Sequence, residues 1–313
     1  MKKILLSLAV LATVASCSKN EVVDVAPTNE LGFVSLNDRL SLKSANDEAD
    51  PYYVYAVAGT STSFFLNGLK VTTAAGVDSW TGNYYWFADK TAIDFYAYSG
   101  GSATLNATTP TTTSIKVDYT VPTGADDDFT ASQVLGQTGE TNTNVAFEFQ
   151  HLLSKVSVAY QLTTELTNAG YSINSDATAT LTVVNNNGTV DIVAASPVVA
   201  AGTVPNEAPV YSGRLTNYMI LPQDASDCTV QLNGVKIQAP DDSYIKGSAD
   251  AGADFSALSF PSTTLAEFKP GEHYLVTITI SATTEGLLGN EITFTSKTAD
   301  WNTVAGQGVG LDQ

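Results

Sequence analysis

The chain carries two cysteines, Cys17 and Cys228, and two histidines, His151 and His273. Cys17 has the clearest chemical setting. Lys2 and Lys3 precede an apolar run from Ile4 to Val14, and Val14-Ala15-Ser16-Cys17 closes it. A charged start, a short apolar core and small residues at a cut site make a secretory signal. The run is too short to cross a bilayer, which takes about 20 apolar residues. Small residues followed directly by cysteine resemble a lipobox, in which the thiol takes a diacylglyceryl group, the signal is cut before it and the new amine is acylated. Cys17 is thus the expected lipidation site; the alternative is an ordinary secretory signal with an incidental cysteine. Each buried lipid CH₂ contributes about 0.8 kcal/mol, so several acyl chains hold a protein firmly.

The other reactive side chains stand alone. Neither histidine has a cysteine or second histidine at metal-ligand spacing, and each is expected to be structural. Cys228, in "DCTVQLNG", reads as a small buried strand residue. No nucleophile elbow or phosphate-cradling glycine loop is present. Asp126, Asp127 and Asp128 are adjacent but lack the spaced oxygens and turn glycine of a calcium loop, so a solvated acidic loop is expected. Carboxylates paired for glycoside cleavage pair in space, not in sequence, and leave no local signature. The sequence therefore points to no catalytic group and no cofactor or metal.

The elements that hold these residues are strands. In "SIKVDYTV", Ile115, Val117, Tyr119 and Val121 alternate with polar residues; Val156, Val158, Tyr160 and Leu162 do so in "KVSVAYQL". Tyr274, Val276, Ile278 and Ile280 share one face of "HYLVTITI". Period-two alternation marks strands with one buried face. Asn67-Gly68, Asn187-Gly188, Asn233-Gly234 and Pro270-Gly271 read as turns. "VQLNGVKIQ" reads as a two-residue hairpin, and Pro270-Gly271 as a type II turn with positive φ at Gly271. One helical turn is expected within "SFPSTTLAEF". Many short antiparallel strands predict sandwiches or barrels. The net charge of -18, with no basic cluster, excludes nucleic-acid binding. A hydrophobic content of 43% suits a folded chain. Residues 1–16 are expected as signal peptide, 17–29 as tether, 30–150 as an aromatic-rich N-terminal β-sandwich and 151–313 as a C-terminal one.

"SWTGNYYWFADKTAIDFYAYSG" concentrates Trp80, Tyr84, Tyr85, Trp86, Phe87, Phe95, Tyr96 and Tyr98. Stacked across paired strands, such aromatics fill a core; exposed and coplanar, they make a platform for sugar rings. Ile93, Phe95 and Ala97 share one face, and Asp94, Tyr96 and Tyr98 the other. Trp86 and Phe95 are expected in the core, and the face with Asp94 is expected to keep some access to water.

This stretch resembles the first domain of the fimbrillin-like lipoproteins of Bacteroidetes. "YTVPTGADDDFTAS", "FEFQHLLSKVSV", "FKPGEHYLVTITI" and "ADWN" are similar to further family segments in the same order. Phe129 stands where the family more often has Leu. The resemblance implies an all-β chain of two tandem transthyretin-like antiparallel β-sandwich domains and a role as pilus subunit or anchor in adhesion. It also implies surface delivery as an outer-membrane lipoprotein, cleavage by an arginine-specific protease after the first strand, and filling of the vacated groove by a strand from another pilin subunit. Arg39 and Arg214 are the only arginines. Arg39 follows a short apolar strand and is the candidate cut; the alternative is an ordinary loop arginine. Val304, Val309 and Leu311 mark the tail as candidate donor strand, against a frayed terminus. A matured subunit belongs to the fimbrium, and its further partners would be ligands on host or bacterial surfaces. The rival readings are a glycan-binding lipoprotein, which needs Trp80, Trp86 and Tyr84–Tyr98 exposed, and a hydrolase with two carboxylates about 5–10 Å apart.

Overall fold

The computed structural model describes residues 30–35, 51–74, 77–105, 110–124, 127–140, 144–260, 265–282, 288–293 and 299–300. Among them the regular structure is nearly all β, with one short α-helix, Thr164–Asn168. The helical turn expected in "SFPSTTLAEF" lies partly outside the described residues, and its end, Glu267–Phe268, is a strand.

The N-terminal half is organised on a six-stranded antiparallel sheet. Its order is β10 (Gln150–His151), β8 (Thr130–Gln137), β5 (Ile93–Ser99), β2 (Tyr52–Ala58), β3 (Phe64–Ala74) and β4 (Val77–Ser79). Alternation divides its side chains between two faces. Tyr52, Val54, Ala56, Phe95 and Ala97 pack in one cluster against a two-stranded pair, β1 (Gly32–Ser35) and β9 (Asn144–Phe147). Tyr55, Val57, Tyr96 and Tyr98 belong to a second cluster on the opposite face.

That opposite face is largely covered at Tyr96 and Tyr98, while Asp94 keeps the partial access to water expected of it. The face shares its cluster with Ile115, Val117, Tyr119, Val190 and Ile192. These come from the sheet β15 (Ala200–Ala201), β14 (Asn187–Asp191), β7 (Lys116–Thr120) and β6 (Ala103–Leu105). The Gln133 amide reaches across to the carbonyls of Ile192 at 2.8 Å and Ala194 at 2.5 Å. Asp94 is accommodated at a β-bulge, where its carboxylate accepts the Gly136 N–H at 2.7 Å. The β7–β14 ladder joins strands from either side of residue 150 in one sheet.

The C-terminal half sets two sheets face to face. One is β16 (Val210–Arg214), β13 (Thr178–Thr182), β19 (Thr229–Asn233) and β22 (Leu258–Ser259). The other is β17 (Tyr218–Ile220), β11 (Ser154–Leu162), β24 (Glu272–Ala282) and β25 (Leu288–Thr293), with β26 (Ala299–Asp300) also paired to β24. Val156, Val158, Val276 and Ile278 meet Ala179, Leu181, Val230 and Leu232 between them. Smaller pieces complete the half: β12 (Ser172–Ile173), β20 (Ile237–Gln238) and β21 (Tyr244–Lys246), and the pair β18 (Gln223–Asp224) and β23 (Glu267–Phe268). The pairing is not antiparallel throughout. β1–β9 and β11–β24 are parallel, and partners 118 residues apart in the latter leave no local signature.

The glycine signals resolve differently from one another. Pro270-Gly271 is a turn with Gly271 at φ 70°, and the Gly271 N–H donates to Leu153 O at 2.8 Å. Asn67-Gly68 is a bulge inside β3, where the register skips Gly68 opposite Val54 and Tyr55. Asn187-Gly188 lies inside β14, and a Cβ on Gly188 would stand 2.6 Å from both Ala200 O and a Val199 methyl. It marks a close backbone approach rather than a turn. Gly234 does turn, at φ 69°, but β19 pairs with β13 and β22 while β20 pairs with β12 and β21, so the expected hairpin does not form.

Candidate functional site

The candidate site is the place of β1. Leu31 is fully buried and Phe33 is 5% exposed, while Val34 faces outward at 37%. This is the alternation of a strand with one apolar face. The Phe33 ring meets Trp80 edge-on at 5.0 Å, lies near-parallel to Phe147 at 6.1 Å and touches Phe95 at 6.3 Å. On one edge β1 runs parallel to β9, with Gly32 opposite Asn144 and Ser35 opposite Phe147. On the other edge the described contacts are point contacts. The Leu31 N–H donates to Tyr84 O at 2.8 Å, Glu30 bridges Tyr85, and the Ser35 N–H donates to an Asp78 carboxylate oxygen at 3.0 Å. Tyr52 Oη–H donates to that same oxygen at 3.0 Å, and Thr73 Oγ1–H to the other, so Asp78 is fixed in place. Sequence reading missed Asp78, because its partners lie 26 and 43 residues away.

The aromatic stretch divides by burial. Trp86 is 5% exposed and sits edge-on to Phe95, itself fully buried, at 5.8 Å. Tyr96 and Tyr98 are buried on the opposite face of the sheet, and Tyr98 lies near-parallel to Tyr53 at 5.3 Å. Burial, with Tyr55 and Tyr53 beside it, pushes the Tyr98 phenol pKa up. Trp80 and Tyr84 are half-buried, and Tyr85 and Phe87 are exposed. These side chains do not form a common exposed plane.

The acidic triplet is only partly a solvated loop. Asp126 lies outside the described residues, but Asp127 is 9% exposed and accepts the N–H groups of Gly101 at 3.0 Å and Ser102 at 2.8 Å. Asp128 caps the Phe129 N–H at 2.8 Å and pairs with buried His151 through Nδ1. His273 Nε2 shares a 2.9 Å hydrogen bond with Ser157, and burial first, then Lys155, lowers its pKa. Cys228 is buried, and burial pushes its thiol up to about 11. Among the described residues no group of three His, Cys, Asp or Glu is placed to hold a metal ion. Cys17, Arg39, Val304, Val309 and Leu311 lie outside the described residues, as does Trp301. Among the described residues no helix is long and apolar enough to cross a membrane.

Comparison with known proteins follows the fold. A cell-adhesion protein of Bacteroides uniformis, so assigned provisionally, superposes with a TM-score of 0.52 at 20% identity over 87% of this chain and 99% of that one. A fimbrial protein of Bacteroides vulgatus gives 0.55 at 14% identity, over 86% and 100%. No curated protein matches in sequence. The sequence profile of the fimbrillin-like family matches residues 39–301, most of the chain, and the chain therefore belongs to that family of structural, non-enzymatic proteins.

Proposed function

We propose that this chain is a surface-attached fimbrial subunit or anchor serving in adhesion, delivered as an outer-membrane lipoprotein through Cys17 and joined to its neighbours by strand addition at the place of β1. The observation that supports this reading is the position of β1. It ends at Ser35, four residues before Arg39, yet it fills the first core with Leu31 and Phe33. One cut after Arg39 would sever all of β1 from the body. Burying two such side chains is worth roughly 3–6 kcal/mol in total. Their departure opens an apolar trench along β9, which a strand from another subunit would fill with main-chain pairing and side-chain pockets. The acidic surface and the absence of a described catalytic cluster suit an assembly role.

The test is treatment of the folded full chain with an arginine-specific protease, followed by N-terminal sequencing and sizing. The expected result is Leu40 as the new N-terminus and growth of high-mass assemblies, both abolished by Arg39→Ala. Cleavage at Arg214 first, or a clean cut at Arg39 without assembly, overturns the strand-addition reading. Cys17→Ala is expected to release the protein from membranes; continued partitioning into detergent would refute lipid anchoring.

A further inference from the structure

Asn-Gly pairs stand at 67–68, 187–188 and 233–234. The pair has a chemistry of its own. Glycine has no side chain to crowd its nitrogen, so that nitrogen, once deprotonated, can attack the Cγ of the preceding asparagine. A C–N bond forms, ammonia leaves, and a cyclic succinimide remains. Water then opens either of its carbonyls, giving aspartate or isoaspartate. Water is consumed and ammonia released; nothing is oxidised or reduced. The same two residues stand at each site, but the fold surrounds them differently.

Two of the pairs are held at both reacting groups. The Asn233 amide donates to Thr180 Oγ1 at 2.7 Å, and the Gly234 N–H, the attacking nitrogen, donates to an Asp254 carboxylate oxygen at 2.9 Å. The Asn187 amide donates to Thr203 O at 3.1 Å, and Gly188 has register partners on both sides of β14, Tyr119 and Ala201. Asn67 differs. Its side chain is exposed and has no hydrogen-bond partner among the described residues. Gly68 is the bulge of β3: Asn67 pairs with Tyr55 and Leu69 with Val54, and the register passes over Gly68. The extra residue of a bulge is left outside the ladder, so turning the Asn67–Gly68 peptide toward the side chain disrupts less pairing than it would at Gly188.

We propose that Asn67 is a modification site, where the folded protein converts spontaneously to aspartate and isoaspartate while Asn187 and Asn233 are spared. Isoaspartate routes the main chain through its side-chain carbon and lengthens β3 by a methylene group. The bulge already absorbs an insertion against β2, so Leu66 and Val71 on either side keep their places in the first core and the altered form accumulates without unfolding. Either product adds negative charge to a chain that is already acidic. The inference stands apart from the strand-addition reading.

The experiment ages the folded full-length Cys17→Ala protein at neutral and mildly alkaline pH. Each Asn-Gly peptide is then followed by mass spectrometry, with aspartate and isoaspartate separated by chromatography. Asn67 should be lost at least about tenfold faster than Asn187 or Asn233 in the folded chain, and the three rates should converge in urea. Loss should quicken as pH rises, because the attacking nitrogen must give up its proton. Thr180→Ala combined with Asp254→Ala should raise the Asn233 rate toward that of Asn67, with Asn187 still protected as the sign that the variant is folded. Equal rates at the three sites in the folded parent chain, or faster loss at Asn187 or Asn233, overturn the proposal whatever the variant does. An Asn233 rate unchanged in the folded double variant overturns the account of what spares it. Aged protein that has lost the cooperative melting of the parent overturns the claim that the bulge absorbs the change.

Discussion

At the scale of single residues, the chain uses its polar side chains as fasteners. Asp127 is the clearest case, since its buried carboxylate accepts the backbone amides of Gly101 and Ser102 at the edge of the core. Each such hydrogen bond contributes about 0.5–1.5 kcal/mol net, so Asp127→Ala should lower unfolding free energy by roughly 1–3 kcal/mol in urea. An unchanged midpoint would mean that the Gly100–Ser102 turn does not depend on it. Cys228 gives a second measurement. A thiol pKa of about 11 leaves on the order of one thiolate in a thousand at pH 8. Alkylation of Cys228 in the native Cys17→Ala protein should therefore be slow and rise sharply on unfolding; fast native labelling would contradict its burial. The burial of Cys228 was legible in sequence; the role of Asp127 was not. The run of aspartates looked like a solvated loop because its partners, at residues 101, 102 and 151, are brought there by the sheet.

At the scale of elements, alternation was the reliable signal and glycine the ambiguous one. Ile115, Val117, Tyr119 and Val121 are all buried, as are Tyr274, Val276, Ile278 and Ile280. Hydrophobic period reports which face of a strand is buried, and that depends on burial alone, not on the partner strand. Asn-Gly pairs report only a permissive backbone, and the same pair serves as bulge, close approach or turn in this chain. Gly188 tests the distinction. If it were a turn residue, a side chain would point into solvent. Within β14 it faces Ala200 O and Val199, and Gly188→Val should cost at least about 1–3 kcal/mol through overpacking. A thermal midpoint equal to that of the parent chain would return Asn187-Gly188 to the surface.

At the scale of the whole molecule, the halves are joined by packing as well as by the chain. β7 pairs with β14, and the sheet they share covers Tyr55, Val57, Tyr96 and Tyr98. A fragment of residues 30–150 would present that face and the free edge of β7 to water. It should be markedly less soluble than the full chain, and a monomeric, cooperatively melting fragment would show that the N-terminal half closes on itself. The buried phenols set a second whole-molecule property. Burial raises Tyr98, Tyr211, Tyr218 and Tyr274 above the usual value of 10.0, Tyr218 to about 12. The unfolded chain ionises these groups first, so their contribution is complete below pH 10 and is lost as pH rises through the folded values. Urea midpoints should be flat from pH 7 to 9 and fall from pH 10 to 12. Constant stability across that upper range would argue that these phenols are solvated.

The sequence by itself determined the strand class, the buried faces, the absence of a local catalytic or metal motif and, through the order of loosely matching segments, the family. Each of these follows from residue type at short spacing, where neighbours along the chain are neighbours in space. Tertiary structure alone decided which strands pair, that two pairs run parallel, that both faces of the six-stranded sheet are covered, and that Asp78 and Tyr84 flank β1. Many of those facts depend on residues far apart in the chain, 26 positions for Tyr52 and Asp78 and 118 for the β11–β24 partners, whose meeting is a property of the packed sheets. The physical reason is the same in every case. Burial can be read from one strand, but a hydrogen bond or a contact needs two, and the second is chosen only when the chain closes on itself.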